Sequence, residues 1–503
     1  MREDPPAEPS GRARWGRRAR DLTWWLLLPG ILIVAAVLRR GFHLLAEPYE
    51  TSVPEALVLD GARRVAEGRA LYGHLGVLPF VVHVYNPLMY VVPGWASRLL
   101  GLDLERTLWL GRTISFASSL ALSAVLAGFV WKSTGSRRAG ALALAGPFVF
   151  HASILTDFYR LHPESEGLLF TILGVALTFG RRAWSLGAAA LCFFIAFAFK
   201  QSFVAAPVGT LLHLVVSRRR HDAVVFATTL GVLLVVFFTG MGAATRGAYF
   251  EDTFLALACN DVSLRYGLSQ MGKSCVASWA LLLAALPAAV VVASTRRYRV
   301  LFAYLAVLAS WSVYSAGKYG AGLNYFAELW LLLFLFAALA AGERAARWLP
   351  QTAVIVALAA HVGLHAGRLS DADLGLFAFS RSDPYVQHFA AHAGPRLILG
   401  DRVAVHVGDP EVLDCMLLDE LVRKGVIDPA PLLERIRSGY YALVAVPQNP
   451  PWAVQTLILK AAASGPYERV WEAESWNSWT VFERAGEAGP RHEGERANGV
   501  ERR

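Results

Sequence analysis

The sequence predicts a polytopic α-helical membrane protein with a small α/β domain at its C-terminal end. Three observations carry this. The chain of 503 residues is 55% hydrophobic and 17% charged, with a mean hydropathy of +0.41, where soluble proteins carry about a quarter charged residues. Its apolar runs have membrane length, and basic residues crowd into every second joint between them. After Gly367 that texture gives way to short apolar runs separated by helix-like stretches.

Residues 1–21 form a Pro- and Arg-rich N-terminus, read as disordered and cytoplasmic. Arg12, Arg14, Arg17, Arg18 and Arg20 directly precede the first apolar run, Leu22 to Leu38. No small-residue cleavage site follows it and many further spans do, so it reads as an uncleaved first helix rather than a signal peptide. The transmembrane domain is assigned to 22–367, with a first outer loop at 41–107. Further spans are expected near 108–131, 139–156, 165–180, 183–199, 202–216, 222–245, 276–294, 300–316, 323–341 and 350–367, about eleven in all at roughly twenty residues each.

The joints test that order. KSTGSRR (132–138), Arg181-Arg182, SRRRH (217–221), TRRYR (295–299) and GERAAR (342–347) alternate with sparser joints holding Arg160, Lys200, Lys318 and the 246–275 loop. This is the pattern of basic cytoplasmic loops, and it gives the formal net charge of +9 an origin in membrane orientation rather than nucleic-acid binding. One discord is Arg39-Arg40, a basic pair on the outer side. With Arg63, Arg64 and Arg69 it fits either snorkelling to head groups or an anion site. An extracytoplasmic α/β domain is assigned to 368–485 and a disordered polar tail to 486–503. The four cysteines are too few for a disulfide scaffold. Cys259 and Cys275 bracket one polar loop, where a disulfide and two unrelated thiols both fit.

The candidate chemistry gathers in the outer loops. Glu47, Glu50 and Glu55 follow where the first span ends, and residues 53–70 put Val58, Ala62, Val65 and Ala66 on one helical face, as in a helix lying along the membrane surface. Gly68 supplies a C-terminal stop. A carboxylate at the membrane–water boundary suits a general base acting on a hydroxyl; solvated loop carboxylates are the plainer alternative. The aromatic–proline turn Tyr85-Asn86-Pro87-Leu88 follows. Further polar points lie at Asp157 to Glu166 (with Arg160, His162 and Glu164), at Lys200-Gln201, and at Lys318 with Asn324, Tyr325 and Glu328. Ionisable groups at such depths are functional candidates by default. His43, His74, His83 and His162 share this side, but no pair of them has the helical spacing of a metal site, so no metal ligand is assigned. Walker, GxGxxG-before-helix and GxSxG motifs are missing from the sequence, which removes nucleotide-dependent and serine-hydrolase readings.

Taken in order, the basic N-terminus, first span, acidic loop, ARRVAEGRALY (62–72), HVYNPLMYVVPGWASRLLG (83–101) and LGRTISFASSLAL (110–122) resemble the GT-C glycosyltransferases that use polyprenyl-phosphate sugars. Aminoarabinose transferases and protein O-mannosyltransferases are examples. HPE (162–164), FKQSFVAAP (199–207) and GLNYFAELWLL (322–332) extend the resemblance over roughly residues 20–345. It implies a GT-C-like membrane domain in a bacterial-type inner membrane, N-terminus cytoplasmic and C-terminal domain outside. It also implies transfer with inversion from a polyprenyl-phosphate sugar to a lipid, glycan or protein acceptor. The family's acidic residue falls on Pro54-Glu55, with Glu50 as nearby substitute, so either is the expected base. Lys200, Lys318, Arg160 and Arg40 are expected to meet the lipid phosphate. Tyr85, Asn86, His162, Glu164, Gln201, Asn324 and Tyr325 are expected to line the substrate. No cofactor is assigned, and a divalent metal stays open. A flippase of a lipid-linked saccharide, or a surface-polysaccharide ligase or polymerase, is the competing class.

Overall fold

The computed structural model describes residues 52–148, 156–180, 182–318, 320–343, 384–408, 410–447, 452–472 and 479–486, with scattered positions between 35 and 50. Arg40 and the expected spans Leu22 to Leu38 (for the most part) and 350–367 lie outside the described residues.

The first outer loop begins with helix α1 (Val53–Ala66), whose N-cap Ser52 accepts from the Glu55 amide. Gly68 stops it at φ +74, as expected from sequence. The helix is not the surface-lying amphipath expected, because every residue from Glu55 to Ala62 is buried. Helix α2 (Leu88–Leu100) packs against it at close range. A Cβ on Gly61 would meet the Tyr90 ring at 2.2 Å, and one on Gly94 the Ala62 carbonyl at 2.6 Å. The α/β domain closes over the remaining face.

The bundle proper starts with α3 (Leu104–Thr134), capped by Asp103 and ended by left-handed Gly135, and continues through the short α4 (Arg137–Ala143). Helices α5 (Glu164–Thr178), α6 (Ala183–Phe199) and α7 (Ala205–Val216) follow. Along α3, Arg112, Ser115, Ser119 and Ser123 form a buried polar stripe. Ser119 bonds Ser165 and the Phe158 carbonyl, and Ser115 bonds Glu166, which lets α3 and α5 approach closely as small residues allow in membranes.

Helices α8 (Arg220–Thr245), α9 (Leu264–Ala277), α10 (Trp279–Ser294), α11 (Arg299–Ala316) and α12 (Ala327–Gly342) complete the described bundle. Helix α12 is apolar all round and buried at every residue, as a central helix should be. Helix α8 has a mean hydropathy of 2.3 but only 6% of its apolar window is buried, which leaves it facing outward.

Four helices among the described residues are long and apolar enough to cross a membrane, or five if the bent pair α9–α10 counts as one. The expected span 276–294 is thus the second arm of a helix broken by 93° at Ser278. The expected span 139–156 is also not one helix, since α4 ends at Ala143 and a 3-10 turn occupies Gly146–Phe148.

The C-terminal unit is built from α13 (Pro384–Ala391), β1 (Arg396–Ile398), α14 (Asp401–Val407), α15 (Cys415–Arg423), α16 (Ala430–Arg437), β2 (Leu443–Pro447), α17 (Ala453–Ser464), β3 (Tyr467–Glu472) and β4 (Trp479–Arg484). The strands lie in the order β1-β2-β4-β3, with β1 parallel to β2 and the other pairs antiparallel. Fully buried Leu443, Val444 and Ala445 place β2 at its core. The apolar runs RLILG, YALVAVP and WTVFER and the helix-like stretches Asp414 to Lys424, Ala430 to Arg437 and Trp452 to Ala463, expected from the sequence, coincide with β1, β2, β4, α15, α16 and α17. Strand β3 and helices α13 and α14 were not foreseen. All four cysteines are free thiols.

Candidate active site

Pro163 ends the polar joint 156–163 that follows α4, and Glu164 opens α5. The Glu164 carboxylate binds three groups. Lys200, at the C-cap of α6, and His162 both contact it, and Asn324 Nδ2 donates to it at 2.8 Å. Lys200 also lies over the rings of Tyr325 (4.9 Å) and Tyr85 (5.7 Å), and Tyr85 Oη is 3.3 Å from His162 Nε2. Five expected substrate residues and one expected phosphate-binding residue therefore form a single cluster. A cleft opens beside it, lined by Glu164, Lys200, Trp311, Asn324, Tyr325 and Glu328.

At the edge of this cluster Arg160 sits 3.5 Å from Asp157. Burial pushes the Asp157 carboxyl up, with Glu164 adding to the effect and His162, Arg160 and Lys200 opposing it. Burial works against a charged His162, yet the Glu164 and Asp157 carboxylates prevail and raise its pKa.

The aromatic–proline turn is clamped into place. Gln201 Nε2 donates to the Val84 carbonyl at 2.8 Å, and Tyr72 Oη to that of Tyr85 at 2.9 Å. Asn86 Nδ2 donates to the Phe197 carbonyl, while Tyr249 Oη donates to Asn86 Oδ1 at 2.7 Å. Gln201 and Asn86 thus position the turn, and Tyr85 reaches the cluster.

The two expected bases have different surroundings. Glu55 is fully buried and held bidentately by Arg112, at 2.8 Å (Nε to Oε1) and 2.9 Å (Nη2 to Oε2). It also accepts from the Leu161 amide at 2.9 Å. Arg112 donates in addition to the Leu44 and Glu47 carbonyls, so one guanidinium ties the end of the first span, α1 and the 156–163 joint together. Glu50 is also buried, but only its Oε2 is engaged, 2.7 Å from His406 Nε2 of the α/β domain. Its Oε1 has no hydrogen-bond partner among the described residues.

Lys318 stands apart from the cluster, in a bridge with Val262 and 5.9 Å from the Tyr314 ring. Burial lowers its pKa.

Sequence reasoning missed several participants. Arg112 lies inside an expected span, where an ionisable residue is itself a signal. Asp60 is buried and binds Arg63 (2.5 Å) and Arg64 (2.8 Å). Burial alone would raise it, but His83 and the two guanidiniums hold its carboxyl well below the usual range. Arg63 also donates to the Val405 and Gly408 carbonyls. Arg63 therefore serves the docking of the α/β domain, while Arg64 pairs with Asp60 on the same helix. Nothing in the sequence marked His406. Of the four outer histidines, His83 contacts Asp60, His162 joins the cluster, His74 pairs with Glu251 at 2.8 Å, and His43 is exposed on the helical stretch 41–45.

The architecture is a helical bundle with a small sheet domain over its first loop. Among solved structures, the chain superimposes on ArnT from Cupriavidus metallidurans bound to undecaprenyl phosphate with a TM-score of 0.63. That match has 13% identity and covers 92% of this chain and 99% of ArnT. The apo state of the same protein gives 0.63, 14%, 94% and 100%. Neither a protein-family model nor a curated protein sequence matches the chain.

Proposed function

We propose that this chain is a membrane glycosyltransferase that moves a sugar from a polyprenyl-phosphate donor to a hydroxyl acceptor, with inversion. The observation that carries the reading is the convergence of Lys200, His162, Arg160, Tyr85, Tyr325 and Asn324 beside a cleft, in a fold shared with a protein crystallised with undecaprenyl phosphate. Three basic side chains, Lys200, His162 and Arg160, face two carboxyls, Glu164 and Asp157. That surplus of positive charge suits a lipid phosphate and the charge it gains on leaving. Trp311, Phe203 and Tyr325 line this narrow cleft and would move apart to admit the sugar.

In the reaction, the acceptor oxygen attacks the anomeric carbon on the face opposite the phosphate. The bond from that carbon to the phosphate oxygen breaks, and the lipid phosphate leaves with the electron pair. The acceptor proton passes to a carboxylate. Of the two candidates we assign this role to Glu50, whose Oε1 is unengaged among the described residues, and give Glu55 the task of holding Arg112. The resemblance supports an inner-membrane, multi-pass protein with this site on the outer face, the shorter apolar helices completing the crossings. Glycan, lipid or protein acceptors all present the required hydroxyl.

General-base assistance contributes about 10² to 10⁴ in rate. Glu50→Gln is therefore expected to lower transfer by that factor with donor binding and folding intact. Glu55→Gln is expected to lower thermal stability along with activity. Full transfer activity in Glu50→Gln, assayed as free polyprenyl phosphate released in detergent, overturns the assignment. Movement of intact donor without cleavage points instead to a flippase.

A further inference from the structure

The α/β domain holds a second cluster of ligand-type side chains, remote in sequence from the site above. His388 lies on α13 and His392 directly follows it, one helical turn later. Glu483 faces both from β4. His388 Nε2 is 2.7 Å and His392 Nε2 3.1 Å from Glu483 Oε1, and the ligand atoms of all three lie within 4.8 Å of one another. His392 and Glu483 are buried and His388 is partly exposed.

We propose that these three residues bind a divalent cation of the zinc class. The His392 ring supports this on its own. Its Nδ1 lies 2.8 Å from the His388 carbonyl, which can only accept, so Nδ1 carries the hydrogen. In the neutral ring the remaining lone pair is then on Nε2, which lies 3.1 Å from Glu483 Oε1 without making a hydrogen bond to it, and a cation between the two would satisfy both. Backbone anchoring of the far nitrogen is also the usual support for a metal-binding histidine.

The spacing fits as well. A tetrahedral ion with bonds of about 2.0–2.1 Å sets its ligand atoms roughly 3.3 Å apart, so each imidazole would draw back from Glu483 Oε1, from 2.7 and 3.1 Å, with the three ligand atoms already within 4.8 Å of one another. Two imidazoles from one helical turn with one carboxylate leave the fourth position for water. Partly exposed His388 gives the ion a route in. The ion would staple α13 to β4. Helix α13 packs against α14, which carries His406, so the staple would help hold His406 against Glu50. The sequence reading weighed only the four outer histidines and did not reach this pair.

The test uses the full chain in detergent, stripped by chelator and re-equilibrated with Zn²⁺ alone, with bound zinc counted by elemental analysis. Wild type is expected to retain one equivalent that His392→Ala and Glu483→Gln both lose, and His74→Ala, which breaks the separate pair with Glu251, keeps. Zinc that survives both substitutions, is lost in His74→Ala instead, or is never retained overturns the proposal; the cluster is then an imidazolium–carboxylate pair. Should the variants fail to fold, zinc-edge X-ray absorption of the wild type decides. Two imidazoles with oxygen ligands support the site, and a sulfur ligand or a single imidazole overturns it.

Discussion

At the scale of single residues, Arg112 is the group on which the site's geometry most depends. A guanidinium in the interior of a membrane helix is tolerable only when its donors are satisfied, and Glu55, Leu44 and Glu47 accept from it. Removing one partner of such a pair costs about 3–5 kcal/mol, while replacing both with apolar groups is often close to neutral. Glu55→Leu and Arg112→Met are therefore each expected to lower the melting temperature strongly, and the double variant to recover most of the loss. Melting curves of the four proteins in detergent check this. Strictly additive losses contradict the paired role. The sequence showed Glu55 as one of three carboxylates and could not say what it bound, because Arg112 lies 57 residues away. Glu164, Lys200 and Asn324 were legible as boundary residues for the opposite reason: each interrupts an apolar run.

At the scale of elements, α1 shows where pattern reading ends. Its apolar stripe was visible, but so were Glu55, Asp60, Arg63 and Arg64, and that polarity argued for a solvated face. The partners that bury those groups are Arg112, His83 and the carbonyls of Val405 and Gly408, all far away in sequence. Next to α1, the segment after α8 inserts Asp252, which among the described residues accepts long bonds from the Gly73 and His83 amides, 3.4 and 3.3 Å. Burial therefore pushes its carboxyl up to about 8. Between its ordinary value of 3.8 and about 8 the folded protein holds the proton that the unfolded chain has lost, so stability falls as pH rises through that window. Asp252→Asn removes this slope. Its melting temperature relative to wild type is expected to climb from pH 4 to 8 and then level off. A pH-independent difference contradicts the burial argument.

At the scale of the whole molecule, composition and the alternation of basic joints were enough for a helical membrane protein with a terminal sheet domain, because hydrocarbon thickness and charge asymmetry act on residue type alone. They were not enough for the shape of the helices. The 93° break at Ser278 and the early end of α4 at Ala143 depend on packing that apolar runs do not encode. The docking of the α/β domain over the first loop, through Glu50–His406 and Arg63, was equally invisible. Yet that contact is what encloses the proposed base. The most direct measurement is of bond cleavage by purified protein given a polyprenyl-phosphate sugar and an envelope extract as acceptor source. Free polyprenyl phosphate is expected to appear with time. Lys200→Met should slow its release by about 10² to 10³, the usual effect of losing one group that stabilises a developing anion. Wild-type rates in Lys200→Met, or no release while donor is still bound, would contradict the account.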